Sequence, residues 1–418
     1  PDRRIWLIFT ILFLDVVAGS AIGPVLPAFV RDLPQPQLWL SLSTALFLGM
    51  QLFSAPVLGL LGDRYGRRPI FILSAVGTLL ATLLLLPVRA GLFFASRLSD
   101  GLSNGLYTTL RAAITDISPP ERLFKQLGLE GAIVSLGFVL GPLVVGALLL
   151  GLRVPLALHT TYVVRLAVGL AVLNVGVSLL LRETHRRRRA LPAGALRQAL
   201  TLALNPLTLW ARLQAKEAAA PGLRRLVLTQ SAYTLTSAYG YYLIPYLSLG
   251  PMQLDARALS WFFLGIGGLS AVTSYLFYTL LADRLPPQRT VGWLAGLGVP
   301  VLLAYALVGT SATRLYLVLG ADCLTVLLVP GLLEGLLARR TTPADRGEVF
   351  GLSQAFQGLA NLAGTLVVGG LSVLDLRLPW VWLALCLAGV AWLASRPLPA
   401  APASPAPAPL ATATILTP

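Results

Sequence analysis

The sequence predicts an all-α polytopic membrane protein, with twelve transmembrane helices arranged as two pseudo-symmetric six-helix bundles. Three observations lead there. The 418 residues are 56% hydrophobic and only 12% charged, roughly half the charge of a soluble domain. Apolar runs of about 20 residues, each long enough to cross a bilayer as a helix, recur along the chain. Its two halves also resemble one another.

The runs fall at about 5–30, 37–61, 69–88, 91–117, 126–150, 158–181, 225–249, 258–282, 290–309, 313–338, 348–373 and 378–395. Pro24, Pro27, Pro56, Pro142, Pro245, Pro300 and Pro330 lie inside them, as lipid-embedded helices tolerate. The expected units are an N-terminal bundle over 1–181, an inter-bundle loop over 182–224, a C-terminal bundle over 225–396 and a disordered Pro/Ala-rich tail over 397–418. Within the loop, residues 195–213 read as an amphipathic helix on the membrane surface.

Arginine and lysine set the orientation. If both termini face the cytoplasm, 23 of the 32 basic residues fall on inside segments, while each outside connection holds a single arginine. This bias favours cytoplasmic termini and explains the +15 net charge as contact with anionic lipid rather than nucleic acid. Cys323 and Cys386 sit in apolar runs, and neither they nor His159 and His185 have metal-ligand spacing. The sequence has no phosphate-binding GxxxxGK[ST] loop and no nucleophile constellation. An enzyme is therefore not expected, nor a cofactor.

Aligned from Gly128 and from Gly351, the segments GLEGAIVSLGFVLGPLVVGAL and GLSQAFQGLANLAGTLVVGGL share ten of 21 positions. Asp63 and Arg64 after the second run have counterparts in Asp283 and Arg284 after the eighth. Duplicated six-helix units are the architecture of major facilitator transporters. The stretch GLLGDRYGRR fits that family's GxLxDRxGRR signature through Gly59, Leu61, Asp63, Arg64, Gly66, Arg67 and Arg68. The resemblance implies a cytoplasmic gate, here Gly59, Asp63, Arg64, Gly66, Arg67 and Arg68 with Asp116, Asp283 and Arg284, that latches in one state and releases in the other.

Two further stretches narrow the resemblance. Gly128, Gly137, Gly141, Pro142 and Gly146 look like the antiporter signature of the fifth helix, with Val145 replacing one glycine. Leu14–Asp15, Pro24, Leu26–Pro27, Arg31–Asp32–Leu33 and Ile114–Thr115–Asp116–Ile117 are similar to bacterial tetracycline/proton antiporters, mostly within the first 150 residues. The resemblance implies export of a small amphipathic or lipophilic compound by exchange with protons, from a monomer in a bacterial inner membrane. A lipid or metabolite carrier of the same fold is the alternative, and a non-transporting receptor a more distant one.

Ionisable groups at membrane depth are costly and mark function or tight pairs. The proton-coupling candidates are Asp15, Arg97, Asp100 and Asp322. Asp15 is either a proton carrier or a structural acid. Arg97 and Asp100 resemble the signature RxxQG with Asp100 replacing glutamine, so Asp100 either pairs with Arg97 or adds a proton site. Arg165 either counters one of these acids or snorkels. Candidates for the substrate cavity are Gln51, Asn104, Arg165, Gln230, Tyr233, Tyr239, Tyr242, Tyr246, Gln354, Gln357 and Asn361, because amides are expensive against lipid, the seventh span is rich in aromatics, and Tyr239, Tyr242 and Tyr246 recur at helical spacing.

Overall fold

The computed structural model describes residues 3–104, 106–118, 120–184, 194–218, 220–282, 284–341 and 346–399. Among them every regular element is helical. Nine stretches are long and apolar enough to cross a membrane as continuous helices.

The first span is α1 (Arg3–Ile22) continued by a 3-10 segment, Gly23–Phe29, in which Pro24 and Pro27 replace helical donors. There follow α2 (Pro36–Tyr65), α3 (Arg67–Leu84), α4 (Ala90–Ser103) with α5 (Leu106–Ile117), α6 (Pro120–Gly151) and α7 (His159–Leu180). The inter-bundle segment forms two helices rather than the single one expected, α8 (Ala195–Leu204) and α9 (Pro206–Glu217), separated at Asn205. Proline at the first position of α9 and the Asn205 side chain, which accepts from Leu207 N, start the second helix afresh.

The second half repeats the first with α10 (Leu223–Ser237) and α11 (Tyr239–Leu249), α12 (Ala256–Leu280), α13 (Pro287–Tyr305), α14 (Ala312–Leu324) with α15 (Val329–Arg339), α16 (Arg346–Leu374) and α17 (Leu378–Ser395). The fourth span breaks at Asn104 and the tenth at Thr325, followed by a 3-10 turn over Val326–Leu328. These are equivalent places in the two repeats.

Within the N-terminal half, α1 packs on α6 and α7, and α3 on α4 and α7; within the other half, α13 packs on α17, and α10 on α16 and α17. The halves meet chiefly through α2 with α16 and α6 with α12. Those contacts include Gly369 against Ser41 and Gly146 against Trp261, toward the end of the molecule away from the GLLGDRYGRR segment. Gln37 Nε2 also donates to Leu249 O across the halves there. At the arginine-rich end α8 lies mainly against α2 and touches α16, and α9 packs on α10 and α16 and forms a 2.8 Å ion pair from Lys216 to Glu348.

Candidate functional site

The GLLGDRYGRR segment is a helix end, a one-residue break and a new helix. Gly66 adopts φ +106 between α2 and α3, a conformation that side chains disfavour. The resulting turn points the first N–H groups of α3 at Glu183, which accepts from Arg67 N at 2.8 Å and Arg68 N at 3.3 Å. A carboxylate at a helix N-terminus satisfies free donors and the positive end of the helix dipole.

The Arg67 side chain is buried and forms ion pairs with Asp63 at 2.6 Å and Asp116 at 3.2 Å. It thereby joins the second, third and fourth spans. Arg64 lies exposed over the Tyr65 ring, and Arg68 donates to Leu179 O. Close by, the exposed Arg111 holds the buried Glu130 at 2.9 Å. Where the sequence predicts a latch, the ion pairs that form fasten spans of the N-terminal half to one another. The reason is geometric: Asp63, one turn before Arg67, and Asp116 on α5 both flank the guanidinium within its own bundle. The expected counterpart Asp283 lies outside the described residues, and Arg284 is exposed.

Three spans bring polar groups together in the middle of the N-terminal half. Asp15 on α1 and Asp100 on α4 both lie 3.4 Å from the Thr78 hydroxyl on α3. Arg97 and Asp100, which read either as a pair or with Asp100 as a further proton site, act on each other electrostatically but are not in direct ion-pair contact. Instead the Arg97 guanidinium lies 6.0 Å from the Phe47 ring and 5.8 Å from the Phe93 ring, with Nε buried and without a hydrogen-bond partner. A hydroxyl carries one proton, so it can donate to only one of two carboxylates; the other contact is satisfied if that carboxyl is itself protonated. Two acids and one hydroxyl therefore fit together best around one extra proton.

The glycine-rich fifth span backs this group. Gly141 stands where a methyl would lie 2.9 Å from Ala21 N and from Val17 O, and Ser20 Oγ donates to Gly137 O at 3.0 Å. Small residues here let α6 approach the helix that carries Asp15. Gly146, further along α6, faces Ser260 and Trp261 of the other half. Gly128 lies in the same helix near its start.

In the C-terminal half, Asp322 on α14 is fully buried and receives the hydroxyls of Tyr305 at 3.0 Å and Tyr239 at 3.4 Å. The tyrosines expected to line a cavity lie instead inside this bundle. Tyr233 donates to Val326 O, Tyr242 to Leu376 O and Tyr246 to Tyr305 O, while Trp380 stacks on Tyr305 with ring centres 4.6 Å apart. Helical spacing had identified a shared face but not what covers it; the cover is α13 and α17. Arg165 is exposed over Tyr162, away from the acids, as snorkelling requires.

The amides divide. Gln230 Oε1 accepts from Ser353 at 2.6 Å, and Gln357 donates to Ser353 at 3.1 Å, a buried network between α10 and α16. Asn104 and Asn361 each bury a side-chain oxygen without a hydrogen-bond partner, Gln51 is half-buried and Gln354 is exposed. Thr78, Ser353 and Glu183 escaped the sequence reading. Glu183 had a visible signal, being the acid in the basic run RETHRRRR.

Two six-helix repeats meeting face to face, with acids buried within each, define a membrane transporter rather than an enzyme. The chain belongs to the Major Facilitator Superfamily, which matches residues 8–338. It is 27% identical over 377 residues to the class C tetracycline resistance protein of Escherichia coli, covering 85% of this chain and 86% of that protein. With the class H protein of Pasteurella multocida the identity is 29% over 193 residues, but the match spans 44% of this chain and only 46% of that protein's length. Among solved structures, the human organic anion transporter MFSD10 (TETRAN) superposes with TM-score 0.66 at 24% identity, covering 94% of this chain and 99% of that one. An auto-inhibited peptide transporter of the POT family gives 0.71 at 14% identity, over 97% and 99% of the chains, a likeness of fold.

Proposed function

We propose that the protein is a proton-coupled antiporter that exports a small amphipathic compound by alternating access. The observation that carries this reading is the Asp15–Thr78–Asp100 group, drawn from three spans and best satisfied with one proton. The tetracycline resistance proteins among its relatives support a drug-like substrate. The arginine-rich end faces the cytoplasm of a bacterial inner membrane, the protein works as a monomer, and no cofactor other than the coupling proton takes part. Coupling requires proton and substrate to favour different states, since equal affinity for both would shift nothing.

Reconstituted vesicles with an imposed pH gradient test the reading. Tetracycline, or a member of a panel of lipophilic cations, triggers proton efflux that disappears in Asp15→Asn. A proton flux that never responds while a compound binds defeats the assignment. One observation favours a second reading, an organic anion carrier: the guanidinium of Arg97 has a buried Nε with no partner, beside two phenyl rings. A likeness to the human organic anion transporter points the same way.

A further inference from the structure

Asp100 and Asp322 are 222 positions apart, between the 220 separating Asp63 from Asp283 and the 223 separating Gly128 from Gly351. They therefore occupy equivalent places in the repeat. The local structures agree: α4 ends three residues beyond Asp100, and α14 ends two residues beyond Asp322. Their partners also correspond by span. Asp100 meets Thr78 of the third span, which also meets Asp15 of the first; Asp322 meets Tyr305 of the ninth and Tyr239 of the seventh.

What the two places share is a hydroxyl in contact with the acid; at Asp100 the Arg97 guanidinium also acts from the same helix. Among the described residues no arginine, lysine or histidine pairs with Asp322; the titratable groups around it are Tyr239 on α11, Tyr305 on α13, Tyr233 on α10 and the adjoining Cys323. An arginine in this position would hold the carboxylate ionised. A phenol serves both forms: it donates to a carboxylate, and its oxygen accepts from a carboxylic acid. Two phenols can thus satisfy Asp322 before and after it takes a proton, without a counter-charge that would have to move.

We propose that Asp322, bracketed by Tyr239 and Tyr305, is a second proton-binding site, which fills and empties separately from the Asp15–Thr78–Asp100 group. The proton comes from water on one side of the membrane and bonds to a carboxylate oxygen of Asp322; it leaves to water on the other side. Because Asp322 is fully buried, exchange requires an opening of the bundle, and the break at Thr325 supplies a joint next to the acid. Each cycle then moves two protons, one through each half. The stoichiometry rests on the antiport reading above; the protonation of Asp322 does not.

Infrared difference spectra of the reconstituted full-length protein, recorded between acid and alkaline buffer without substrate, test the site directly. Asp322→Asn loses one carboxylic acid C=O component that Asp15→Asn retains, and Tyr305→Phe shifts the frequency of that same component. A spectrum unchanged in Asp322→Asn, with the variant folded by its thermal unfolding, overturns the proposal. If Asp322→Asn does not fold, Tyr305→Phe decides, because an unshifted spectrum in that variant counts equally against it. In vesicles, the proton-to-tetracycline ratio read from the reversal potential falls from two to one in Asp322→Asn. An unaltered ratio removes Asp322 from the coupled path. Failure of wild type to couple protons to tetracycline would count against the antiport reading and leave the infrared result standing.

Discussion

Gly66 and Glu183 are fitted to each other: a methyl on Gly66 would overlap the Glu183 carboxylate. The bare backbone at Gly66 is what lets a residue from the end of the sixth span cap the third. Gly66→Ala should therefore combine backbone strain of about 1–3 kcal/mol with loss of the cap. Glu183→Gln, which keeps the shape and removes the charge, should cost less, about 0.5–1 kcal/mol. Thermal unfolding of the purified variants in detergent gives both values, and an alanine variant as stable as wild type would contradict the account.

Arg67 bonds two carboxylates from inside the bundle. Its removal in Arg67→Ala takes the shared cation from Asp63 and Asp116, whose side chains are 40% and 23% exposed, and should lower stability by about 1–3 kcal/mol. Arg67→Lys should recover only part of the loss, because an ammonium cannot reproduce the planar fork that reaches both acids. Full recovery by lysine would reduce the requirement to simple charge.

The Arg111–Glu130 pair is lopsided, with side chains 58% and 4% exposed respectively. Deleting the arginine strands a buried carboxylate. Arg111→Ala alone should thus be more damaging than Arg111→Ala combined with Glu130→Gln, with a coupling of about 1–3 kcal/mol in a double-mutant cycle. Additive effects would mean that the two side chains do not sense one another.

Thr78→Val preserves volume and removes the hydroxyl shared by Asp15 and Asp100. Tetracycline-driven proton flux should fall about tenfold, the equivalent of one buried hydrogen bond of roughly 1.4 kcal/mol, whereas Thr78→Ser should retain it. Equal flux in the valine and serine variants would leave the hydroxyl without a role.

The architecture was legible because its causes are local. Length and polarity of each run reveal a span, and the constraint that turned Gly66, Asp63 and Arg67 into a signature is a turn and an ion pair within one helix-break-helix unit. Partners across space left no such mark. Thr78 looks like any membrane-helix threonine until Asp15 and Asp100 approach it from two other spans. Tyr239, Tyr242 and Tyr246 of α11 carry a helical period, yet period identifies a face and not its neighbour. Tyr305 of α13 and Trp380 of α17, far along the chain, show that this face is interior.

The inter-bundle helices are fastened unequally. α8 rests mainly on α2 of one half and touches α16 of the other, while α9 is joined through Lys216 to Glu348 of that second half. The chain turns between the two helices at Asn205–Pro206, where a proline fixes one torsion and an asparagine side chain closes the turn. The connection thus acts as a strap with a single stiff elbow. It crosses the arginine-rich ends of both halves.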